Sequence, residues 1–317
     1  MLRRLALVRQ PSPRLADGIV THIDRESVDP VLARDQWEAY VGALRANGWD
    51  IVQAPAAPDC PDGVFIEDQV LVYGDLAVLC RSGAPERRAE QDGLAGLLTD
   101  VGYRVARIEA PGLLDGGDVL KHDGRVWVGD AGSTGRSNRA GVEQVADLLA
   151  PLGARVEAVP LSGVLHLKSA VTALPDGRIL AGPSLSAVTA EWPGWGTSSR
   201  GASRLLAVPE ESGAHVVILD ADTVLLAASA PQTAEVLTGQ GLRVVTVDIS
   251  EFEKLEGCVT CLSVRLRGWP NSQVPVVNSV ARMVRRGPSA VDTAYPRKGP
   301  WSCDPGPRTQ QARVTPL

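Results

Sequence analysis

Four side chains able to do covalent chemistry recur along this chain at a near-constant interval. Glu67, Asp115 and His166 lie 48 and 51 positions apart, and Cys261 stands at the head of a later strand-like run. A thiol, an imidazole and two carboxylates gathered at one point would form a nucleophilic centre for a cationic substrate. Sulfur attacks, the ring moves protons, and fixed negative charge holds the cation. Taken singly, each residue has a plainer explanation. Cys261, in Glu256-Gly-Cys-Val-Thr-Cys-Leu-Ser-Val264, reads equally well as a small buried hydrophobe on a strand. His166, in Gly163-Val-Leu-His-Leu-Lys-Ser169, reads as a hydrogen-bonded core histidine, and the acids of Asp62-Gly-Val-Phe-Ile-Glu-Asp68 and Leu114-Asp-Gly-Gly-Asp118 as solvated turn residues. Against this, Glu67 and Asp68 interrupt an apolar run, where an unpaired charge is costly and demands a cationic partner or ligand. The shared register favours one site.

Other candidates carry less. Cys258 and Cys261 form a C-x-x-C, but a structural zinc site wants four ligands and no second pair appears. A redox pair normally opens a helix, whereas this one precedes a strand. Gly116-Gly117 lacks the spacing of a phosphate-binding loop. Arg87 and Arg136 stand at the starts of helical stretches, where they could fork onto a substrate carboxylate or simply be solvated. No metal or organic cofactor is expected.

The positioning elements follow from turn signals. Strand pairs are expected at 66–80 around Tyr73-Gly-Asp75, at 116–130 around Asp123-Gly124, at 168–182 around Pro175-Asp-Gly177 and at 215–229 around Asp220-Ala-Asp222. A helical stretch follows each, at about 85–100, 136–150, 184–191 and 231–240, then a further strand at 103–108, 154–159, 203–208 and 242–247. The unit of hairpin, helix and strand repeats every 47–50 residues, a period that points to a propeller or array. A strand at 4–9, a helix at 30–46, a strand at 49–54 and a last strand at 261–266 complete a fifth unit once the chain's last strand pairs with its first. Closure of that kind removes exposed edges. The expected fold is one α/β domain, residues 1–267, a five-bladed pseudo-symmetric propeller of ββαβ units.

Composition bounds the rest. Of 317 residues, 44% are hydrophobic and 22% charged, ordinary for a globular chain with a substantial core. No apolar run is long enough to span a bilayer, and the start MLRRLALVRQ is too short in apolar residues for a secretion signal. Five scattered cysteines argue against a disulfide framework. A cytoplasmic protein is expected, acting as a monomer or homodimer, with no membrane partner. Residues 269–317 carry seven Lys/Arg against two Asp/Glu, leaving 25 against 35 for the remainder. An acidic body disfavours nucleic acid and suits a small cationic substrate. Eight prolines after Gly268 and no sustained period mark 268–317 as a tail expected to be mostly disordered.

From about Leu5 to Arg267 the chain resembles the dimethylarginine dimethylaminohydrolase family of the guanidine-modifying pentein superfamily. The matching segments are DGVFIED (62–68), RSGAPERRAE (81–90), LDGGDVL (114–120), LHLKS (165–169) and LEGCVTCLSV (255–264), in the family's order. The resemblance implies a five-fold α/β propeller. It implies hydrolysis of Nω,Nω-dimethyl-L-arginine, or Nω-methyl-L-arginine, to L-citrulline and the amine through a covalent cysteine thiouronium. It implies Cys261 rather than Cys258 as nucleophile, His166 as general acid and Asp115 as the acid that orients it. Asp62, Glu67 and Asp68 would surround the guanidinium, and Arg87 and Arg136 would bind the amino-acid end. Val20 and Leu255 would touch substrate through backbone or apolar surface. About three extra residues in Gly129–Arg136, and the tail after Gly268, depart from the family pattern. An arginine or agmatine deiminase-type hydrolase on the same fold is the runner-up, followed by a non-catalytic methylarginine-binding protein. The polar loop Pro11–Asp24 is expected to act as a lid.

Overall fold

In a computed structural model of the chain, residues 4–122, 124–132, 135–184 and 205–267 are described. The first strand, β1 (Arg4–Val8), leads through helix α1 (Pro30–Ala46) to β2 (Asp50–Gln53). Asp29 caps α1 by accepting hydrogen bonds from the Val31 and Leu32 N–H groups at 2.9 and 3.2 Å, and Pro30 pre-sets the first turn. Trp37, Tyr40, Val41 and Leu44, three or four residues apart, form its buried face.

The repeating unit then appears in succession. It comprises β3 (Val70–Tyr73), β4 (Leu76–Leu79), α2 (Leu94–Asp100) and β5 (Arg104–Arg107), followed by β6 (Val119–His122), β7 (Arg125–Asp130), α3 (Arg139–Leu149) and β8 (Arg155–Pro160). Next come β9 (Val171–Ala173), β10 (Ile179–Ala181) and β11 (Leu205–Ala207), then β12 (Val216–Ile218), β13 (Thr223–Ala227), α4 (Pro231–Gly239) and β14 (Arg243–Val247). A short helix, α5 (Ser250–Glu253), precedes β15 (Val264–Arg267).

Each unit is a three-stranded sheet in which an antiparallel hairpin is extended by a parallel third strand. Left-handed glycines make the turns where the sequence marks them, with φ of +56° at Gly74 and +88° at Gly177. The fifth sheet has the order β15-β1-β2, so the last described strand lies antiparallel to the first, Leu7 opposite Val264. Five apolar clusters fill the wedges between neighbouring blades; the cluster of Val8, Trp37 and Leu44 with Val217 and Leu225 joins the first blade to the last. Hairpin strands such as β4 are fully buried, while third strands such as β2 and β5 are half-exposed at the rim. No helix among the described residues is long and apolar enough to cross a membrane.

The expected five-bladed ring is therefore the observed one, with local differences. The helix expected at 85–100 is a 3-10 turn, Pro85–Gln91, then α2, broken at Gly93, whose φ is +76°. Three of the hairpins start three or four residues later than expected, because 66–69, 116–118 and 167–169 form 3-10 turns. The expected helix at 184–191 falls almost wholly outside the described residues, and the expected tail at 268–317 falls outside them altogether.

Candidate active site

Those short turns carry the site. Each precedes the innermost strand of its blade, so the ring brings their residues to one end of the axis. Asp68 lies in the turn Ile66–Gln69, Asp115 and His166 immediately precede Gly116–Asp118 and Leu167–Ser169, and Cys261 lies in the turn ahead of β15. One bond repeats between blades. Asp68 Oδ1 accepts the Gly117 N–H at 3.0 Å, and fifty residues on Asp118 Oδ1 accepts the Leu167 N–H at 2.9 Å. The Gly116-Gly117 pair is needed for this closeness. A β-carbon on Gly116 would lie 2.0 Å from the Glu67 carbonyl oxygen, and one on Gly117 would lie 2.6 Å from His166 Nδ1.

Cys261, His166, Asp62, Asp68, Arg87, Arg136 and Leu255 line one pocket, together with Ile19, Phe65, Leu165, Glu256 and Gly257. The His166 Nε2 lies 3.2 Å from Asp115 Oδ2 and 3.9 Å from Asp68 Oδ1. Burial alone would discharge the ring, but Asp68, the Asp115 hydrogen bond and Asp118 overcome it and push its pKa up to about 9. His166 is thus an imidazolium at neutral pH. Burial likewise pushes Asp68 up, yet the His166 and Arg87 cations bring it down to about 2. Asp118, with burial dominant, is pushed up to about 6. It accepts a hydrogen bond from the Ser137 hydroxyl at 2.6 Å, and Ser137 Oγ accepts the Asp115 N–H at 3.1 Å. Asp115 is fully buried behind the ring, not at the pocket surface.

Three expected contacts are placed differently. Arg87 borders the pocket, but its guanidinium is committed inward. It donates to Asp68 at 2.6 Å, to Glu90 at 2.9 and 3.0 Å, and to the Phe65 and Asp62 carbonyls. At most one of its five N–H donors remains for a ligand. Glu67 turns away from the pocket to pair with Lys168 at 2.6 Å and Arg265 at 3.7 Å, beside a separate cavity lined also by Val70 and Lys121. Val20 packs half-buried on the core, while its neighbour Ile19 meets the pocket. Arg136 does face it, with Nη1 at 3.7 Å from Asp115 Oδ2 and no hydrogen-bond partner for that nitrogen among the described residues.

The turn that carries Cys261 is held from both sides. The Cys261 carbonyl accepts the Glu67 N–H at 3.2 Å, and Tyr40 of α1 places its hydroxyl 2.9 Å from the Val259 carbonyl and 2.7 Å from Ser263 Oγ. The Cys258 and Cys261 sulfurs are 3.2 Å apart. The hydrogen bond with Cys258, then burial and the charges of Asp68 and Glu67, push the Cys261 thiol well up.

The loop before α1 crosses the site. Its Ile19 N–H donates to both Asp62 oxygens at 3.2 Å, and its Thr21 N–H and hydroxyl donate to Glu256 at 2.9 and 3.1 Å, alongside a further bond from the His22 N–H. Glu256 was not singled out by residue type or spacing. Its backbone has a left-handed φ of +61°, and only the neighbouring Gly257 hinted at a tight turn there. Ser137 and Glu90 were equally invisible, because neither falls on the fifty-residue register. Asp68, Asp115 and His166 offer ligand atoms within 4.8 Å of one another, a grouping able to hold a metal ion, but the Arg87 and Arg136 guanidinium groups already balance those carboxylates.

No protein-family model matches the chain. A dimethylarginine dimethylaminohydrolase of Streptomyces coelicolor is 54% identical over 267 residues, covering 84% of this chain and 98% of that protein. A crystal structure of a dimethylarginine dimethylaminohydrolase mutant, its histidine changed to glycine, as the adduct with S-methyl-L-thiocitrulline, matches with a TM-score of 0.74 at 29% identity, covering 84% of this chain and all of the other. The Pseudomonas aeruginosa enzyme, a cysteine-to-serine mutant complexed with citrulline, matches with a TM-score of 0.73 at 29% identity and the same coverage.

Proposed function

The chain belongs to the dimethylarginine dimethylaminohydrolase family of the pentein superfamily, and on that premise we propose that it hydrolyses Nω,Nω-dimethyl-L-arginine, and Nω-methyl-L-arginine, to L-citrulline and dimethylamine or methylamine. One observation carries the reading: a single thiol, Cys261, and a cationic imidazole, His166, face the same carboxylate-lined pocket.

A guanidinium carbon is a poor electrophile, because its charge is spread over three nitrogens. Asp62 and Asp68 hold that cation, and the bound positive charge favours the Cys261 thiolate against the Cys258 hydrogen bond, the burial and the nearby acids that raise it. The thiolate adds to the central carbon. As the tetrahedral adduct collapses, the C–N bond to the methylated nitrogen breaks and His166 gives that nitrogen a proton. General acid assistance of this kind contributes typically about 10²–10⁴-fold. The covalent thiouronium then takes water, deprotonated by the now neutral ring, and the C–S bond breaks to release citrulline and restore the thiol. Asp115 holds the ring in place. Arg136, with the spare N–H of Arg87, meets the substrate carboxylate, and Leu255 and the backbone at Ile19–Val20 border its aliphatic stem. The loop bound to Asp62 and Glu256 excludes water from the thiouronium until the amine has left. A cytoplasmic setting accords with the free thiols of Cys60, Cys80, Cys258 and Cys261.

The test is citrulline release from dimethylarginine, monomethylarginine, arginine and agmatine, with Cys261→Ser as control. The reading requires turnover of the methylated substrates and none by the serine variant. Faster release from arginine or agmatine would replace it with the deiminase reading.

A further inference from the structure

Cys258 has no part in the reaction above, yet its place is unusual for a core filler. It is buried, but its sulfur points at another sulfur, 3.2 Å from Cys261 Sγ and 3.2 Å from Thr260 Oγ1. Both cysteines sit in one tight turn, with the Cys261 N–H donating to the Cys258 carbonyl at 3.1 Å. A disulfide needs the sulfurs at about 2.05 Å, so closure asks for movement of about one ångström. Of the two, only Cys261 reaches the pocket surface, where a molecule as small as a peroxide can enter. The cost of a nucleophilic sulfur is exposure to oxidants, and the first oxidation product is reversible only if another thiol intercepts it.

We propose that Cys258 is a resolving cysteine, which captures an oxidised Cys261 as an intramolecular disulfide and so keeps the nucleophile recoverable. The oxidant is hydrogen peroxide or another hydroperoxide. The Cys261 sulfur attacks a peroxide oxygen as it loses its proton, the O–O bond breaks, and the leaving hydroxide takes that proton to become water. The Cys258 sulfur, whose thiol is pulled well down by the hydrogen bond from Cys261 against opposing burial, then attacks the Cys261 sulfenic sulfur. The S–O bond breaks and a second water leaves. The pair has lost two electrons and the peroxide has gained them. Capture competes with a second peroxide, which would carry Cys261 to the sulfinic acid. Proximity favours capture, because the attacking sulfur is held in place and need not diffuse.

The proposal rests on Cys261 as the pocket-lining nucleophile of the proposed function but not on the substrate. Peptide mass spectrometry reads the bond whether or not dimethylarginine turns over, so the two readings fail separately. The full chain is treated with a graded series of peroxide doses, alkylated and digested. Wild type is expected to show a Cys258–Cys261 cross-link, lighter by two hydrogens, and to regain its own starting activity on dithiothreitol. Cys258→Ser and Cys258→Ala, each normalised to its untreated activity, are expected to gain two oxygens on Cys261 and to recover little. Wild type that accumulates sulfinic acid at the same doses as the variants, with no cross-linked peptide, overturns the proposal. So does a disulfide that joins two chains.

Discussion

Asp115→Asn isolates the link between the buried acid and the imidazole. The substitution keeps the shape of the side chain but removes the charge at 3.2 Å from His166 Nε2. A hydrogen bond to a charged group contributes about 1.5–3 kcal/mol. At 1.36 kcal/mol per pKa unit that is about 1–2 units. The His166 pKa should therefore fall from about 9 toward about 7–8, still held above its ordinary value by Asp68 and Asp118. The assay is kcat/KM for citrulline release against pH. Because the ring acts as an acid, activity falls as pH rises through its pKa, and the alkaline limb of the variant should begin about 1–2 units below that of wild type. Stability supplies a second readout with a definite sign. A histidine whose folded pKa exceeds its unfolded value stabilises the fold fully below about pH 6.5 and ceases to do so as pH rises through about 9. For wild type that span is worth about 3 kcal/mol, and for the variant about 1–2 kcal/mol. Urea unfolding at both ends of the window measures it. Coincident alkaline limbs in the two proteins would refute the reasoning, for then Asp115 does not set the charge on the ring.

Four further substitutions probe the supports. Gly117→Ala puts a β-carbon 2.6 Å from His166 Nδ1 and 2.8 Å from Asp68 Oδ1; it should cost about 1–3 kcal/mol of stability and abolish citrulline release, checked by thermal melting beside the activity assay. Glu256→Gln weakens the bonds to Thr21 and His22, and KM should rise about tenfold, the equivalent of one weakened charged hydrogen bond, with a smaller change in kcat; an unchanged KM would show that the loop closes without this latch. Tyr40→Phe leaves the buried Val259 carbonyl and Ser263 hydroxyl without their shared partner, an expected loss of about 1–3 kcal/mol by urea unfolding. Arg136→Lys keeps the charge but not the fork, so KM for dimethylarginine should rise while KM for agmatine, which has no carboxylate, stays level.

The hairpins were legible because glycine must stand where the backbone turns left-handed, as at Gly74 and Gly177. Ring closure was legible because the strand after Cys261 had no partner of its own until it was set against Arg4–Val8. The active-site turns were not legible. Ile66–Gln69 looks like the start of an apolar strand, but it is a 3-10 turn from which Asp68 meets the pocket while Glu67 pairs with Lys168. A spacing of 48 or 51 residues locates such a turn but does not fix which side chain faces the axis, since one residue of slip sends a carboxylate to Lys168 instead of to the pocket. The resemblance places Arg87 at the amino-acid end of the substrate. The carboxylates it grips are Asp68 and Glu90, the latter three residues on in Arg87-Arg-Ala-Glu90, a local pairing that residue type alone does not reveal.

The pairing of β15 with β1 has a consequence for the growing polypeptide. The ribosome delivers the acids and the imidazole long before the sulfur, and the strand behind that sulfur must find the segment made first. On the proposed mechanism, partial chains hold every ingredient except the attacking atom. The proposed mechanism then makes competence a single late event, in which the last described strand docks on the first, Arg267 against Arg4, and a translation product that stops short of it should be inert toward guanidines.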